Sequence, residues 1–595
     1  MNTDLPQDIR NLIAQVAKKT KLRKAERADV QRELTSHFQE ALASGKSADD
    51  VVRAYGDAHA CAKNLRIAVI AKRSPIDRAF GLTFMWSARA AGAFVLLYAV
   101  VAISMSFNTP KVSFDAVKRY RESLPVAKSP DQVAWPAYRD ALVKMGMGRD
   151  DPKRESAGVE AASDLSLPGS ENWNTATAWL TANRAQIDAF CKATERPVLG
   201  FPVGVAVSDD DAALFGKNFQ SNSISNAAID NSDVDKPDRS EFPSFNMVLP
   251  QLASLRQATR IIASDMMMAV EKADGERATR DAEAIIALSI HVQEARMLIG
   301  GVVGVSIRSI VVNRILMALE WKPNTFTDSQ LKRLQNALRS VPRALERPDF
   351  TLERLMFEDI VQRLYTDDGH GDGRFAPQWK QLRLISALES MSGGNNGKKQ
   401  GATTQFTLLA SWLSQPFAFY AIAGRKEALD HYDASMKRLA SQPNDSLNDT
   451  VTASAIADEK FVESMTAHGA RFFLEGILMP ALGKVVFYFQ IDRANRDACV
   501  ISIAAELYHR ANKKWPASAK DLAPLCNDNA PRDSWNGKSI LMETDANGFR
   551  MWSVGRDGVD DRGNLKKSTR VEDSVDWVWL APRGNLQRWE ENERQ

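Results

Sequence analysis

From Ala90 to Phe107 the chain reads AAGAFVLLYAVVAISMSF, a run without a single charge. As a helix it would be about 27 Å long, close to the hydrocarbon thickness of a bilayer. It has no polar face to turn toward water, so it must cross a membrane or be covered on every side. Phe84, Met85 and Trp86 precede the run, Arg89 borders it, and Pro110 follows it. It begins too far from Met1 to be a signal peptide. The expectation is one transmembrane helix at 90–107.

The flanks suggest an orientation. Up to Arg89 the chain carries a net charge of +6, and after it a net of −3. Lys72, Arg73, Arg78 and Arg89 lie close to the run on its N-terminal side, although Lys111, Lys118, Arg119 and Arg121 weaken the contrast. The positive-inside rule then places the N-terminus in the cytoplasm and the long C-terminal part in the periplasm or outside the cell. Two other apolar stretches compete. Met297 to Ile307 runs into Arg308 and Arg314, and Phe406 to Ile422 contains Gln415 and Pro416 and meets Arg425 and Lys426. Both read as buried or membrane-surface helices.

At 595 residues the chain is long enough for three to five domains. Its apolar share of 44% and charged share of 25% exclude a wholly disordered, collagenous or multi-spanning protein. A net charge of +3 gives no sign of nucleic-acid binding.

Ahead of the span, residues 1–70 read as a three-helix domain. Ile9, Leu12, Ile13 and Val16 mark the first helix, and Val30, Leu34, Phe38 and Ala41 the second, which Gly45 ends. Ser47 with Asp50 starts the third, where Val51, Val52 and Tyr55 turn inward. The stretch RADVQRELTSHFQEALASGKSADDVVRAYGD, Arg27 to Asp57, resembles the HAAS-type domain found ahead of membrane spans in bacterial regulatory membrane proteins. That resemblance implies a cytoplasmic protein-contact module. The basic run Lys18, Lys19, Lys21, Arg23 and Lys24 suits either anionic lipid or a solvated helix face.

Residues 71–89 form a basic linker, and 108–250 a region of helices and loops that becomes loop-like from Ser221. A helix is expected over Trp173–Arg196, stopped by Pro197. Residues 251–390 read as a helical-hairpin domain. One helix follows Gln251, an Asp274-Gly275 turn leads to a second over Ala278–Leu298, and others are expected at 328–343, 349–365 and 380–390. The stretch 391–404 is a flexible linker and 405–476 a helical region. The segments WLTANRAQIDAFCKATERPVLGFP and DGERATRDAEAIIAL resemble uncharacterised membrane proteins of planctomycete-like bacteria, a likeness that implies a shared fold and no activity.

The last segment, 477–595, reads as a small α+β domain. A helix is expected over 477–511, then strands over Ser539–Met542 and Phe549–Val554 joined through Asn547-Gly548, with a final ordered run over Asp576–Leu580. The succession LYHRANKKWPAS, DLAPL, PRDSWNGKSI and GFRMWSVGRDGVDDRG, within residues 485–580, resembles the globular part of type II secretion pseudopilins, especially the major one. The helix here is internal and interrupted by Arg471, Glu475, Lys484, Asp492 and Arg493, so pilin-like polymerisation is not expected. The resemblance implies a calcium ion in the loop after the last hairpin, held by Asp557, Asp560 and Asp561 with Asp573 or Asp576. The spacing is not that of an EF-hand, because Arg562 stands where that loop needs glycine. An acidic, glycine-rich turn in solvent is the alternative.

No catalytic signature emerges. Seven histidines include no His-x-x-x-His or His-Glu-x-x-His pair, and no phosphate loop, dinucleotide fingerprint or nucleophile elbow occurs. His509 reads as a surface partner of Glu506, and His370 as part of a mobile Asp/Gly loop at 367–373, with a loop that gathers a cation or a phosphate-bearing ligand as the alternative. Cys499 and Cys526 either pair or stay as buried thiols. The fold expected is therefore mainly α: a cytoplasmic domain, one span, and a large multi-helix extracytoplasmic region ending in a pseudopilin-like domain. The function expected is a structural or protein-interaction role in the cell envelope at the inner membrane, with protein partners, the bilayer and homo-oligomerisation in view. A transmembrane signal transducer and an extracytoplasmic hydrolase with spatially assembled carboxylates are the alternatives.

Overall fold

The computed structural model describes residues 5–106, 110–203, 208–216, 249–376, 421–440, 471–472, 474–475, 482–527, 529–545, 548–555, 558–564 and 576–580. The chain divides into two compact units, Met1–Ile103 and Ser104–Gln595. It is mainly helical, with one small sheet among the described residues.

The first unit holds α1 (Gln7–Lys19), α2 (Lys24–Ala43), α3 (Ala48–Tyr55), α4 (Ala58–Lys72) and all but the last residues of α5 (Pro75–Ser106). Ile9, Ile13 and Val16 of α1 and Val30, Leu34 and Phe38 of α2 recur every three or four residues and meet in one small core with Val51 and Ala62. The three-helix expectation is corrected here, because a fourth helix packs against the first. Gly56 takes φ +75°, which ends α3, and Asp57 then opens α4 by accepting the His59 and Ala60 N–H groups at 2.9 and 3.1 Å. Arg73 at the end of α4 donates twice to Glu26 at the start of α2, both at 2.8 Å, and holds that carboxyl below its usual range.

Helix α5 carries the apolar run. Phe94, Val95, Leu96 and Leu97 are 63–70% exposed. Successive residues turn by about 100°, so four in a row face every side of the helix.

The second unit begins with α6 (Ala116–Ser123), α7 (Trp135–Lys144), α8 (Ala157–Ser163), α9 (Trp173–Ala182), α10 (Arg184–Ala193) and α11 (Asp209–Phe215). The single helix expected over 173–196 is two, broken at Asn183, whose side chain donates to the Trp179 carbonyl at 3.0 Å. A central group follows: α12 (Pro250–Glu271), α13 (Gly275–Gln293), α14 (Leu298–Trp321) and α15 (Asp328–Arg339). Then come α16 (Thr351–Leu364), α17 (Arg425–Ala440) and α18 (Leu482–Asn512). The 380–390 helix and most of the 405–476 region expected from sequence lie outside the described residues.

Among the described helices, α14 is long and apolar enough to cross a membrane, yet most of it is buried. It packs on α12, α13 and α18, and Arg308, Arg314 and Glu320 lie fully buried along it. Arg308 is joined to Asp492 of α18 by contacts of 2.8 and 2.7 Å, and Arg314 donates to the Leu165 carbonyl at 2.8 Å. Two arginines partnered inside a protein core mark a core helix.

The sheet has strand order β1 (Leu541–Asp545), β2 (Gly548–Ser553), β3 (Trp577–Leu580), all antiparallel. The first strand begins two residues later than expected, since Ser539 instead bridges Arg532. Strand β3 leans on α14 and α18, and one cluster of buried apolar side chains runs from Ala134 to Leu580. All four cysteines are free, with Cys499 sealed inside that cluster. His509 stacks on Trp515 at 4.1 Å, and Glu506 pairs with Arg510 at 2.7 Å.

Candidate functional site

The acidic loop after β2 is built on a buried aspartate. Asp533 accepts the Trp535 N–H and the Ser553 hydroxyl at 2.9 and 2.7 Å, and the Val554 N–H at 3.3 Å. This fixes where β2 ends. Gly563 then takes φ +60° under the Trp552 ring, where an added Cβ would fall 2.8 Å from the indole. Only glycine fits that turn without moving the tryptophan.

Of the five aspartates singled out, Asp557 and Asp573 lie outside the described residues. Asp560 Oδ1 accepts from the Arg562 N–H at 2.8 Å and from Trp552 Nε1 at 3.0 Å. Asp576, 1% exposed, accepts the Gly563 N–H on Oδ2 at 2.8 Å. Its Oδ1 is buried and has no hydrogen-bond partner among the described residues. Burial pushes the Asp576 carboxyl up to about 6, and the charges of Asp560 and Asp561 add to the rise. The loop therefore brings Asp560, Asp561 and Asp576 within electrostatic reach. Among the described residues no group of three or more His, Cys, Asp or Glu side chains is arranged to hold a metal ion.

The Asp/Gly loop at 367–373 is held by its own backbone and by the start of α17, where the Lys426 N–H donates to Asp372 at 3.1 Å. Asp367 accepts the Gly369 N–H at 2.8 Å and pairs with Arg425 at 2.9 Å, and Asp368 accepts the His370 N–H at 2.7 Å. His291 is a core histidine. Its Nε2–H donates to the Arg196 carbonyl at 2.8 Å, so Nδ1 accepts the Tyr138 hydroxyl, also at 2.8 Å. Burial lowers its pKa to about 4 and keeps the ring neutral. Asp265 and Asp281, the deepest carboxylates of α12 and α13, are engaged by Arg277 and Arg280. Sequence reading missed one pair, His431 hydrogen-bonded to the buried Glu475 and stacked on Phe472 at 3.9 Å. The partners are 44 residues apart, and no local motif links them.

No curated protein and no solved structure matches the chain. A family match falls on the N-terminal unit, from Ile13 in α1 to Asn64 in α4, and so takes in the capped turn at Gly56–Asp57. Residues 13–64 match the HAAS domain family.

Proposed function

We propose that this chain is a single-pass protein of the inner membrane, with its HAAS domain in the cytoplasm and the helical region after α5 outside it, acting through protein contacts. The observation that carries this reading is α5. Its apolar side chains are exposed all round the helix over Phe94–Leu97, with Val100 and Ile103 continuing the surface. In water each such side chain forgoes about 1.5–3 kcal/mol of burial, whereas in hydrocarbon nothing is lost. The net positive charge ahead of Arg89 supports a cytoplasmic N-terminus. A domain of the HAAS kind just before the span supports a contact role on that side. The long α18 packed on an antiparallel sheet supports the pseudopilin-like reading of residues 477–595.

Reporter fusions after Leu65, after Val112 and at the C-terminus test the topology. A cytoplasmic first reporter with exported second and third supports it. Three cytoplasmic reporters would remove it.

A second reading, calcium at the acidic loop, is favoured by the unpartnered Asp576 Oδ1. A cation there would satisfy that oxygen and offset the repulsion from Asp560 and Asp561. Calcium would act as a structural tie across the loop. Titration calorimetry of the full chain compares wild type with Asp576→Asn and Asp557→Ala. Loss of calcium heat in the variants supports the site, and equal heat in all three sinks it.

A further inference from the structure

A cleft of about 1000 Å³ opens in the second unit between the segment after α15, the middle of α18, and the loop at 526–537. Six arginines line it: Arg339, Arg343, Arg347, Arg493, Arg496 and Arg532. Three carboxylates do so as well, Glu346, Asp497 and Asp533.

The carboxylates are already engaged. Arg496 donates to Glu346 at 2.6 Å, and Arg493 lies 3.9 Å from both Glu346 and Asp497. Asp533 is spent on the Ser553 hydroxyl and on the Trp535 and Val554 N–H groups. Among the described residues Arg339 donates to a neutral acceptor, the Leu525 carbonyl at 3.0 Å, and forms no ion pair. Arg343, Arg347 and Arg532 are exposed and form no ion pair among the described residues. Six guanidinium groups thus face one opening with three carboxylates, an excess of three positive charges, and four of the six have no ion-pair partner among the described residues. Gln490, only 8% exposed, also lines the cleft and adds an amide to the guanidinium donors.

Like charges gathered round a concave surface raise the local positive potential, and an anion relieves their repulsion. Guanidinium forks match planar or tetrahedral oxyanions through paired N–H groups. The lining contains no Phe, Tyr, Trp or His, so nothing offers a base or other flat ring a stacking platform. We infer that this cleft binds a compact, multiply charged oxyanion of the phosphate type, free or borne on a small headgroup. Arg343, Arg347 and Arg532 make the primary contacts, and the ion-paired Arg493 and Arg496 form a rigid floor.

The test is calorimetric titration of the full chain in detergent micelles with pyrophosphate, and separately with short-chain phosphatidic acid. Wild type is compared with the triple variant Arg343→Gln/Arg347→Gln/Arg532→Gln. A control triple, Lys192→Gln/Arg256→Gln/Lys272→Gln, removes the same charge away from the cleft. All six positions are exposed, and unchanged thermal melting confirms intact folding. The expected result is a dissociation constant of roughly 1 mM or tighter for at least one probe. It should weaken more than about tenfold in the cleft triple, at about threefold per arginine, and less than about twofold in the control. Binding of pyrophosphate would identify a free oxyanion, and binding of phosphatidic acid alone a lipid-borne one. No binding of either probe, or equal binding by the two triples, overturns the inference.

Discussion

Replacing Glu294 with glutamine should make the protein more stable above neutral pH, although it deletes a native hydrogen-bonding carboxylate. Glu294 closes the end of α13 and accepts the Leu199 N–H at 2.7 Å, which pins the segment after α10. Burial pushes its carboxyl from 4.5 up to about 7, against the lowering effect of that N–H. The folded value lies above the unfolded one. Between pH 4.5 and 7 the folded state therefore keeps a proton that the unfolded state has lost, and stability falls as pH rises through this window. At 1.36 kcal/mol per unit the loss is about 2–3 kcal/mol once partial solvent access is allowed for. A glutamine side chain still offers a carbonyl to the Leu199 N–H and does not ionise. The gain of Glu294→Gln over wild type should grow by about 2–3 kcal/mol between about pH 4.5 and about pH 8. With a urea slope of roughly 3 kcal/mol per molar, the difference in midpoints should widen by up to about 1 M. Taking the difference between variant and wild type removes the contribution of Glu353, which burial also raises to about 7. A gap that stays constant with pH would refute the reasoning.

Three further outcomes follow from the same structure. Arg308→Leu leaves Asp492 buried without its partner and should cost about 3–5 kcal/mol, most of it recovered in Arg308→Leu/Asp492→Leu; denaturant titration of both reads this. Gly275→Ala places a Cβ 2.2 Å from the Thr325 carbonyl oxygen and should lower stability by about 1–3 kcal/mol in the same assay. Asp57→Ala removes the two acceptors that open α4 and should fray its first turn, seen as faster amide exchange at His59 and Ala60.

Local patterns were legible in sequence wherever one element could be read alone. The spacing of Ile9, Ile13 and Val16 and the Ser47 cap, which accepts the Asp50 N–H at 3.2 Å, identify α1 and α3 directly. What was missed depends on backbone states that many sequences share. Gly56 reads equally well as a helix end or as a turn before another helix, and the cap at Asp57 decides between them. Asn183 breaks a helix whose apolar pattern continues across it, because its side chain competes for a backbone carbonyl. The acidic loop was visible as a cluster, but not that Asp560 is held by an indole N–H and Asp576 by Gly563. The arginine cleft was legible only in part. Arg339, Arg343 and Arg347 follow one another at every fourth residue, yet Arg493, Arg496 and Arg532 join them from segments roughly 150–190 residues away, which only tertiary packing brings together.

The most direct measurement of the central claim is labelling of single cysteines in intact and permeabilised cells with a membrane-impermeant maleimide. Lys46→Cys in the exposed turn after α2 and Lys128→Cys after α6 would be made in a Cys61→Ser/Cys526→Ser background. With α5 crossing the membrane and the HAAS domain in the cytoplasm, the cysteine at position 128 labels from outside, and that at position 46 labels only after permeabilisation. Equal labelling of both positions in intact cells, or of neither before permeabilisation, would contradict the account.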